Sequence, residues 1–300
     1  MAGPFPYVLS VVAAQDDALA LAENVRASIA METRAGGIDW LAERHAFDIP
    51  FFDRPDQTLA AARAAAAGSL ADVNVVAAEK RRKGLLVADM DSTIITCECL
   101  DELADMAGLK PRIAAITARA MNGEIEFASA LRERVALLKG LELTALERVF
   151  RERVKLTEGA AELVLTMRRA GAHTILVSGG FSFFTERVGR AAGFHEERAN
   201  RLEDDGLTLT GHVGEPILGR EAKRETLEQA VTRMGIGFSE SLAVGDGAND
   251  LDMIRKAGLG VAFHAKPIVA QVATARIDHC DLTALLYLQG YRKNEIVSPA

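Results

Sequence analysis

Three cysteines in 300 residues, Cys97, Cys99 and Cys280, are too few and too unevenly spaced for a disulfide framework. Cys97-x-Cys99 has no second Cys/His cluster to complete a zinc site, which leaves two thiols at a helix entry. No apolar run approaches the roughly 18 to 20 residues that span a bilayer. Lysine and arginine number 35 against 42 aspartates and glutamates, a formal charge of −7. With no basic excess, general binding to nucleic acid or to a membrane surface is not expected. The opening MAGPFPYVLSVVAAQDD lacks a basic stretch ahead of its apolar one. No signal peptide is therefore expected, and the cytoplasm is the expected compartment. An anionic small substrate stays admissible wherever local cations or a metal overcome the overall field.

The apolar share of 49% and the charged share of 26% are those of a globular protein, and the length predicts two domains. The basic run AEKRRKG, residues 78–84, divides the chain. Before it, YVLSVVA and DVNVVAA read as strands, and DDALALAENVRASIA and QTLAAARAAAAGS as helices. IDWLAERHAFDIPFF supplies one or two short strands more. This order predicts a small α+β, ferredoxin-like domain over residues 1–80, whose Trp40 and His45 belong to no catalytic constellation. From residue 81 to 300, the apolar runs GLLVADM, HTILVSGG, SLAVGDG, GLGVAF and ARIDHC alternate with helical patterns. That pattern predicts an α/β, Rossmann-like parallel sheet covered on both faces. About 80 mainly helical residues separate its first two strands, more than one crossover needs, so an inserted helical cap is expected at about residues 98–160. ANRLEDDGLTLTGHV reads as a β-hairpin around Asp-Asp-Gly.

Three predicted strands end in Asp89-Met-Asp91-Ser-Thr, Ser178-Gly179-Gly180 and Gly245-Asp246-Gly247-Ala-Asn249-Asp250. Ligands of open parallel sheets bind beyond the carboxyl ends of the strands. Alone, Asp89 and Asp91 close a strand in water. Together, the three endings bring four carboxylates, a hydroxyl and several free backbone amides to one edge. Glycines let backbone approach an anion closely, and clustered carboxylates make a hard oxygen site suited to Mg²⁺. A metal between the aspartates would remove their repulsion.

In order and spacing, DMDSTIITCECLDELADMAG, FASALRERVALLKGL, TEGA, VSGGF, ANRL, Lys223 and VGDGANDLDMIRKAGLGVAFHAKP resemble the haloacid dehalogenase superfamily of aspartate-nucleophile phosphotransferases. They are most similar to its phosphoserine phosphatase branch, over residues 84–290. Residues 1–80 loosely resemble the ACT-like leader of some bacterial members. The resemblance implies a Mg²⁺-dependent phosphomonoester hydrolase acting on O-phosphoserine. It makes Asp89 the nucleophile and Asp91 the acid and base. Metal ligands would come from Asp89, the Asp91 backbone carbonyl and Asp246, with Asp250 behind them. Ser178, the Gly179 amide and Lys223 would hold the phosphoryl oxygens, and Asn249 would orient them. Transfer to another alcohol such as homoserine, or an amino-acid-sensing regulator without catalysis, are the alternatives. A homodimer is an assembly the resemblance allows.

Substrate choice falls to the cap. Glu98, seven residues after Asp91, is either an ammonium ligand or a first-turn carboxylate favoured by the helix dipole. In FASALRERVALL, Phe127, Leu131, Arg134 and Leu138 share one helical face. Arg134 within that stripe needs a partner, either a substrate carboxylate or an internal salt bridge. Met121 and Phe127 are candidates to close over the site. His173, His195, His212, His264 and His279 show no metal-ligand spacing.

Overall fold

A computed structural model describes residues 5–14, 18–121 and 124–299. The first unit runs β1 (Tyr7–Ala13), α1 (Leu19–Ile29), β2 (Asp39–Ala42), β3 (Ala46–Phe51), α2 (Pro55–Ala65) and β4 (Ala71–Ala77). Its antiparallel sheet has the order β2-β3-β1-β4, the ferredoxin-like arrangement of a βαββαβ chain. The segment around Trp40 thus gives two strands. In β1, Leu9, Val11 and Ala13 pack with Ala22 and Val25 of α1 and Ala62 of α2. Val8 and Val12, on the opposite face, join the apolar cluster that holds Leu86, Ala88, Leu285 and Tyr287 of the larger unit. Both faces of this small sheet are covered, which explains why its strands are apolar almost throughout.

The larger unit begins with β5 (Leu85–Asp89), followed by α3 (Cys99–Met106), α4 (Lys110–Met121), α5 (Phe127–Ala136), α6 (Leu143–Arg153) and α7 (Ala160–Arg169). Next come β6 (His173–Phe181), α8 (Ser182–Ala192), β7 (Glu196–Asn200), the strands β8 (Leu202–Asp204) and β9 (Leu209–Val213), and α9 (Arg220–Met234). The chain ends through β10 (Ser241–Gly245), α10 (Leu251–Lys256), β11 (Leu259–Phe263), α11 (Pro267–Ala270), β12 (Ala275–Ile277) and α12 (Ala284–Leu288). A six-stranded parallel sheet takes the order β12-β11-β10-β5-β6-β7. LLVAD is buried at every position because helices cover both faces of β5. The expected hairpin is β8–β9, while Ala199-Asn200 before it closes β7 on the main sheet.

Strand order reverses beside β5: β6 and β7 lie on one side, β10 to β12 on the other. Such a reversal opens a crevice at the carboxyl edge of the sheet. Helices α3 to α6, between β5 and β6, are positioned to roof it. Among the described residues no helix is long and apolar enough to cross a membrane.

The run AEKRRKG is more than a connector. Arg81 forms a two-pronged ion pair with Asp48 of β3 (2.5 and 2.9 Å) and donates to the carbonyls of Tyr287 and Leu288. Asn74 of β4 exchanges two hydrogen bonds of 2.9 Å with the Arg276 backbone, so its side chain takes the place of a strand partner at the sheet edge. The sequence marks this run only as a basic divider, because the partner of Arg81 lies 33 residues earlier, in a segment with no periodic signal.

Candidate active site

The carboxyl ends of β5, β6 and β10 meet around one cavity of about 280 Å³. Asp89, Asp91, Glu98, Arg134, Ser178, Gly179, Asp246 and Asn249, all expected from the sequence, line it. Lys223 and Asp250 do not. They lie behind the wall, 1% and 0% exposed.

After Asp89 the chain makes a tight turn in which Ser92 takes φ +54°, the left-handed region that non-glycine residues adopt at a cost of about 1–2 kcal/mol. Buried Met90, Thr93 and Ile94 anchor this turn, and Ile95 donates to the Met90 carbonyl. The bend brings Asp91 Oδ1 to the Cys99 amide at 2.9 Å and Oδ2 to Ser178 Oγ at 3.2 Å. Ser178 Oγ also accepts from the Gly180 amide at 2.8 Å. Burial, then the Glu98 charge, pushes Asp91 up to about 6. Cys99 therefore has a backbone task at the start of α3.

Across the cavity, GDGAND folds back on itself: Asp250 Oδ2 accepts from the Gly247 amide at 3.0 Å. Gly245 is what allows this approach, since a β-carbon there would sit 2.4 Å from Asp250 Cγ. Lys223 reaches up from α9 to Asp89 Oδ1 (2.6 Å) and Asp250 Oδ1 (2.7 Å). Burial opposes the lysine charge, but Asp250 and Asp89 together hold its pKa above the usual lysine value. Burial and the Asp250 charge push Asp89 up against the pull of Lys223. Asp246, raised by burial and then by Asp250 and Glu98, comes to about 6. The ammonium groups of Lys223 and Lys266 thus face Asp89, Asp246 and Asp250 with Glu98 and Asp91 nearby, and positive charge is short.

Ligand oxygens of Asp89, Asp246 and Asp250 lie within 4.8 Å of one another, so these residues could hold a metal ion. An all-carboxylate set with a charge deficit fits a hard divalent cation. Asp250 belongs to this group directly, although the sequence reading set it behind the others. The Asp91 carboxylate does not belong to it, being taken by Cys99 and Ser178.

On the cap side, Phe127 lies over the glycines of the core. A β-carbon on Gly179 would be 3.3 Å from Phe127 Cζ, and one on Gly219 3.1 Å from Cδ1. Met121, the other expected cover, lies outside the described side chains. Arg134 donates Nε to the Ala130 carbonyl at 3.2 Å, and among the described residues no carboxylate lies within ion-pair distance of it. Burial lowers its pKa, and the charges of Asp101 and Glu98 oppose that shift. Of the two partners the sequence left open, the internal salt bridge is not formed among the described residues. Glu98 precedes α3 without capping it, and accepts from Ser92 Oγ at 2.7 Å.

Sequence reasoning gave no role to Asp101, Thr117 or Lys266, which also line the cavity. Lys266 stood inside the quoted FHAKP stretch. Its amide donates to the Asp246 carbonyl at 3.1 Å, a link that spacing alone does not reveal.

A buried carboxylate at the end of a central strand, a second carboxyl raised to about 6 beside it and a metal-fitting acidic trio at the carboxyl edge of a parallel sheet define a class of phosphate-processing α/β enzymes. The family model of haloacid dehalogenase-like hydrolases matches residues 86–255, and the chain belongs to that family. It is 46% identical over 209 residues to a phosphoserine phosphatase of Polaromonas sp., covering 68% of this chain and 89% of that protein. It is 45% identical over 205 residues to a phosphoserine phosphatase of Archaeoglobus fulgidus, covering 68% of this chain and 59% of the relative. The crystal structure of a haloacid dehalogenase family hydrolase from Salmonella enterica serovar Typhi superposes with a TM-score of 0.83 at 26% identity. That match covers 94% of this chain and 98% of the other.

Proposed function

We propose that this chain is a phosphoserine phosphatase, hydrolysing O-phosphoserine to serine and phosphate at the end of L-serine synthesis. The observation that carries the reading is Arg134, a half-buried guanidinium with no carboxylate partner among the described residues, lining the same cavity as Asp89 and Glu98. A phosphomonoester with an α-amino acid head supplies what each group lacks: a carboxylate for Arg134, an ammonium for Glu98 and a phosphorus atom for Asp89. The relatives named above support the same substrate.

In this reading an Asp89 oxygen attacks phosphorus and the bond to the seryl oxygen breaks, leaving an aspartyl-phosphate. Asp91 gives its proton to the departing oxygen. A pKa of about 6 keeps that proton available near neutrality, and the resulting carboxylate then deprotonates the water that cleaves the acyl-phosphate. Ser178, the Gly179 amide and Asn249 hold the phosphoryl oxygens, while Lys223 acts from beneath through Asp89. Mg²⁺ is the cation proposed for Asp89, Asp246, Asp250 and the Asp91 carbonyl. Bound there, it supplies charge neutralisation for the phosphoryl group.

We also propose the division into residues 1–80, 81–300 and a cap at about 98–160, and a cytoplasmic protein without nucleic-acid or membrane partners. Steady-state kinetics over a panel of phosphomonoesters, with Mg²⁺ and with chelator, test the function. A kcat/KM for phosphoserine no higher than for an alkyl phosphate overturns the substrate, and full activity under chelation overturns the metal. Product analysis with added homoserine separates hydrolysis from transfer.

A further inference from the structure

A second, shallower cavity of about 220 Å³ opens at the seam between β4 and β12. Its polar lining is Arg63 of α2, Ser69, Asp72, Arg276, Asp278 and His279, none of which lines the catalytic cavity.

The carboxylates here are engaged already. Asp72 is buried and accepts from the backbone amides of Asp278 (2.7 Å), His279 (3.2 Å) and Cys280 (2.9 Å). Asp278 pairs with Arg276 Nε at 3.0 Å. The guanidinium ends are not engaged. Arg63 spends Nε on the Val73 carbonyl at 3.2 Å and has no carboxylate within ion-pair distance among the described residues. The terminal nitrogens of Arg63 and Arg276 make no hydrogen bond among the described residues. Burial, then the Arg276 charge, hold Arg63 below the usual arginine value against the pull of Asp278 and Asp72. Asp72 and Asp278 offset part of this cationic charge, but their oxygens are committed to backbone amides and to Arg276 Nε, which leaves the terminal guanidinium nitrogens available to a ligand. A guanidinium fork matches the paired oxygens of carboxylate or phosphate.

We propose that this seam pocket binds a small oxyanion, through a carboxylate or phosphate group, held by Arg63 and Arg276 with His279 at the rim. The pocket sits on a strand tied to the catalytic edge. Ile277 of β12 accepts from the His264 amide at 2.8 Å, and Lys266, two residues on, donates to the Asp246 carbonyl.

The test is calorimetric titration of the full chain with inorganic phosphate in one arm and acetate in the other. Wild type is compared with Arg63→Gln and Arg276→Gln. The expected result is a binding event in at least one arm that weakens about tenfold or more in both variants, the size of one lost charged hydrogen bond. Arg276 is exposed, so its variant removes charge with little loss of packing. Response to phosphate alone assigns a phosphate ligand, and response to acetate alone a carboxylate. Identical isotherms for wild type and both variants in both arms overturn the site. Inhibition of turnover by phosphate should be unchanged in the variants, since neither arginine lines the catalytic cavity.

Discussion

Lys223 Nζ lies 2.6 Å from Asp89 Oδ1 and 2.7 Å from Asp250 Oδ1, closing a buried bridge between the ends of β5 and β10. The lysine links two segments 161 residues apart (250 − 89), both of which the sequence marks as strand ends. Removing it would leave two buried carboxylates uncompensated, a situation that costs about 3–5 kcal/mol. Lys223→Met should therefore lower unfolding free energy by that amount in chelator, measured by chemical denaturation. Saturating Mg²⁺ should narrow the gap, because a bound cation replaces part of the missing charge and stabilises the fold by mass action. A gap that Mg²⁺ leaves untouched would separate the lysine from the metal group.

Asp246 leads to an opposite expectation. Its folded pKa of about 6 stands above the value of about 3.9 for an unfolded aspartate. The folded state then binds more protons between those values, so stability is greatest below pH 4 for this group and falls as pH rises through 4 to 6. At pH 7 without metal, Asp246→Asn should be more stable than wild type by about 1–2 kcal/mol, and its stability should lose part of that pH slope. The same variant should lose Mg²⁺ affinity and turnover. Denaturation curves at pH 5 and pH 7 with chelator check the sign.

How much of this was legible in sequence depended on distance along the chain. Asp89, Asp91, Ser178, Asp246 and Asn249 stand at the ends of apolar runs, and parallel-sheet topology forces such ends together. Arg134 was legible as a charge in an apolar stripe. What sequence hid was pairing between remote polar groups. Asn74 reads as an interruption in a strand, yet it completes the edge of β12. Asp72 opens the strand run DVNVVAA with no partner marked by the pattern, yet it accepts from three amides of residues 278–280. Nothing periodic encodes a partner 200 residues away.

Those remote pairings change what removal of the first unit should do. Every proposed catalytic group lies after residue 84, so a protein starting at Arg81 keeps its chemistry. It also exposes the apolar face covered by Val8, Val12, Ala46 and Val76, and strips Arg81 of Asp48. The truncated protein should turn over phosphoserine at low temperature but melt at least about 5 °C lower, the scale of a few kcal/mol in a chain of this size. Circular dichroism melts beside kcat measurements decide it. A folded but inactive fragment would make the first unit part of the active site.

Gly245 tests the packing beneath the metal group. A β-carbon placed 2.4 Å from Asp250 Cγ cannot be accommodated without moving that carboxylate. Gly245→Ala should therefore weaken Mg²⁺ binding and reduce kcat at saturating substrate, with KM for phosphoserine less affected than kcat. The residue is buried within β10, so thermal melts must accompany the assay. Wild-type Mg²⁺ affinity in a folded variant would show that Asp250 is free to shift and is dispensable to the metal.

Arg134 and Glu98 distinguish recognition of the amino acid head from phosphate chemistry. Arg134 has no carboxylate partner among the described residues, and Glu98 accepts from Ser92 rather than capping a helix. Each should contribute a charged hydrogen bond to phosphoserine, so Ala at either position should lower kcat/KM about 10- to 150-fold. An alkyl phosphate offers neither a carboxylate nor an ammonium, and its kcat/KM should change far less in both variants. The ratio of the two substrates' kcat/KM is the informative quantity, because a loss of folding or of the nucleophile lowers both together. Arg134→Lys sharpens the reading: it keeps the charge but loses the planar fork, so it should recover only part of the phosphoserine rate. Equal losses on both substrates would assign Arg134 and Glu98 to the architecture of the cap, and selectivity would then rest on Asp101, Thr117 and Lys266, which face the same cavity.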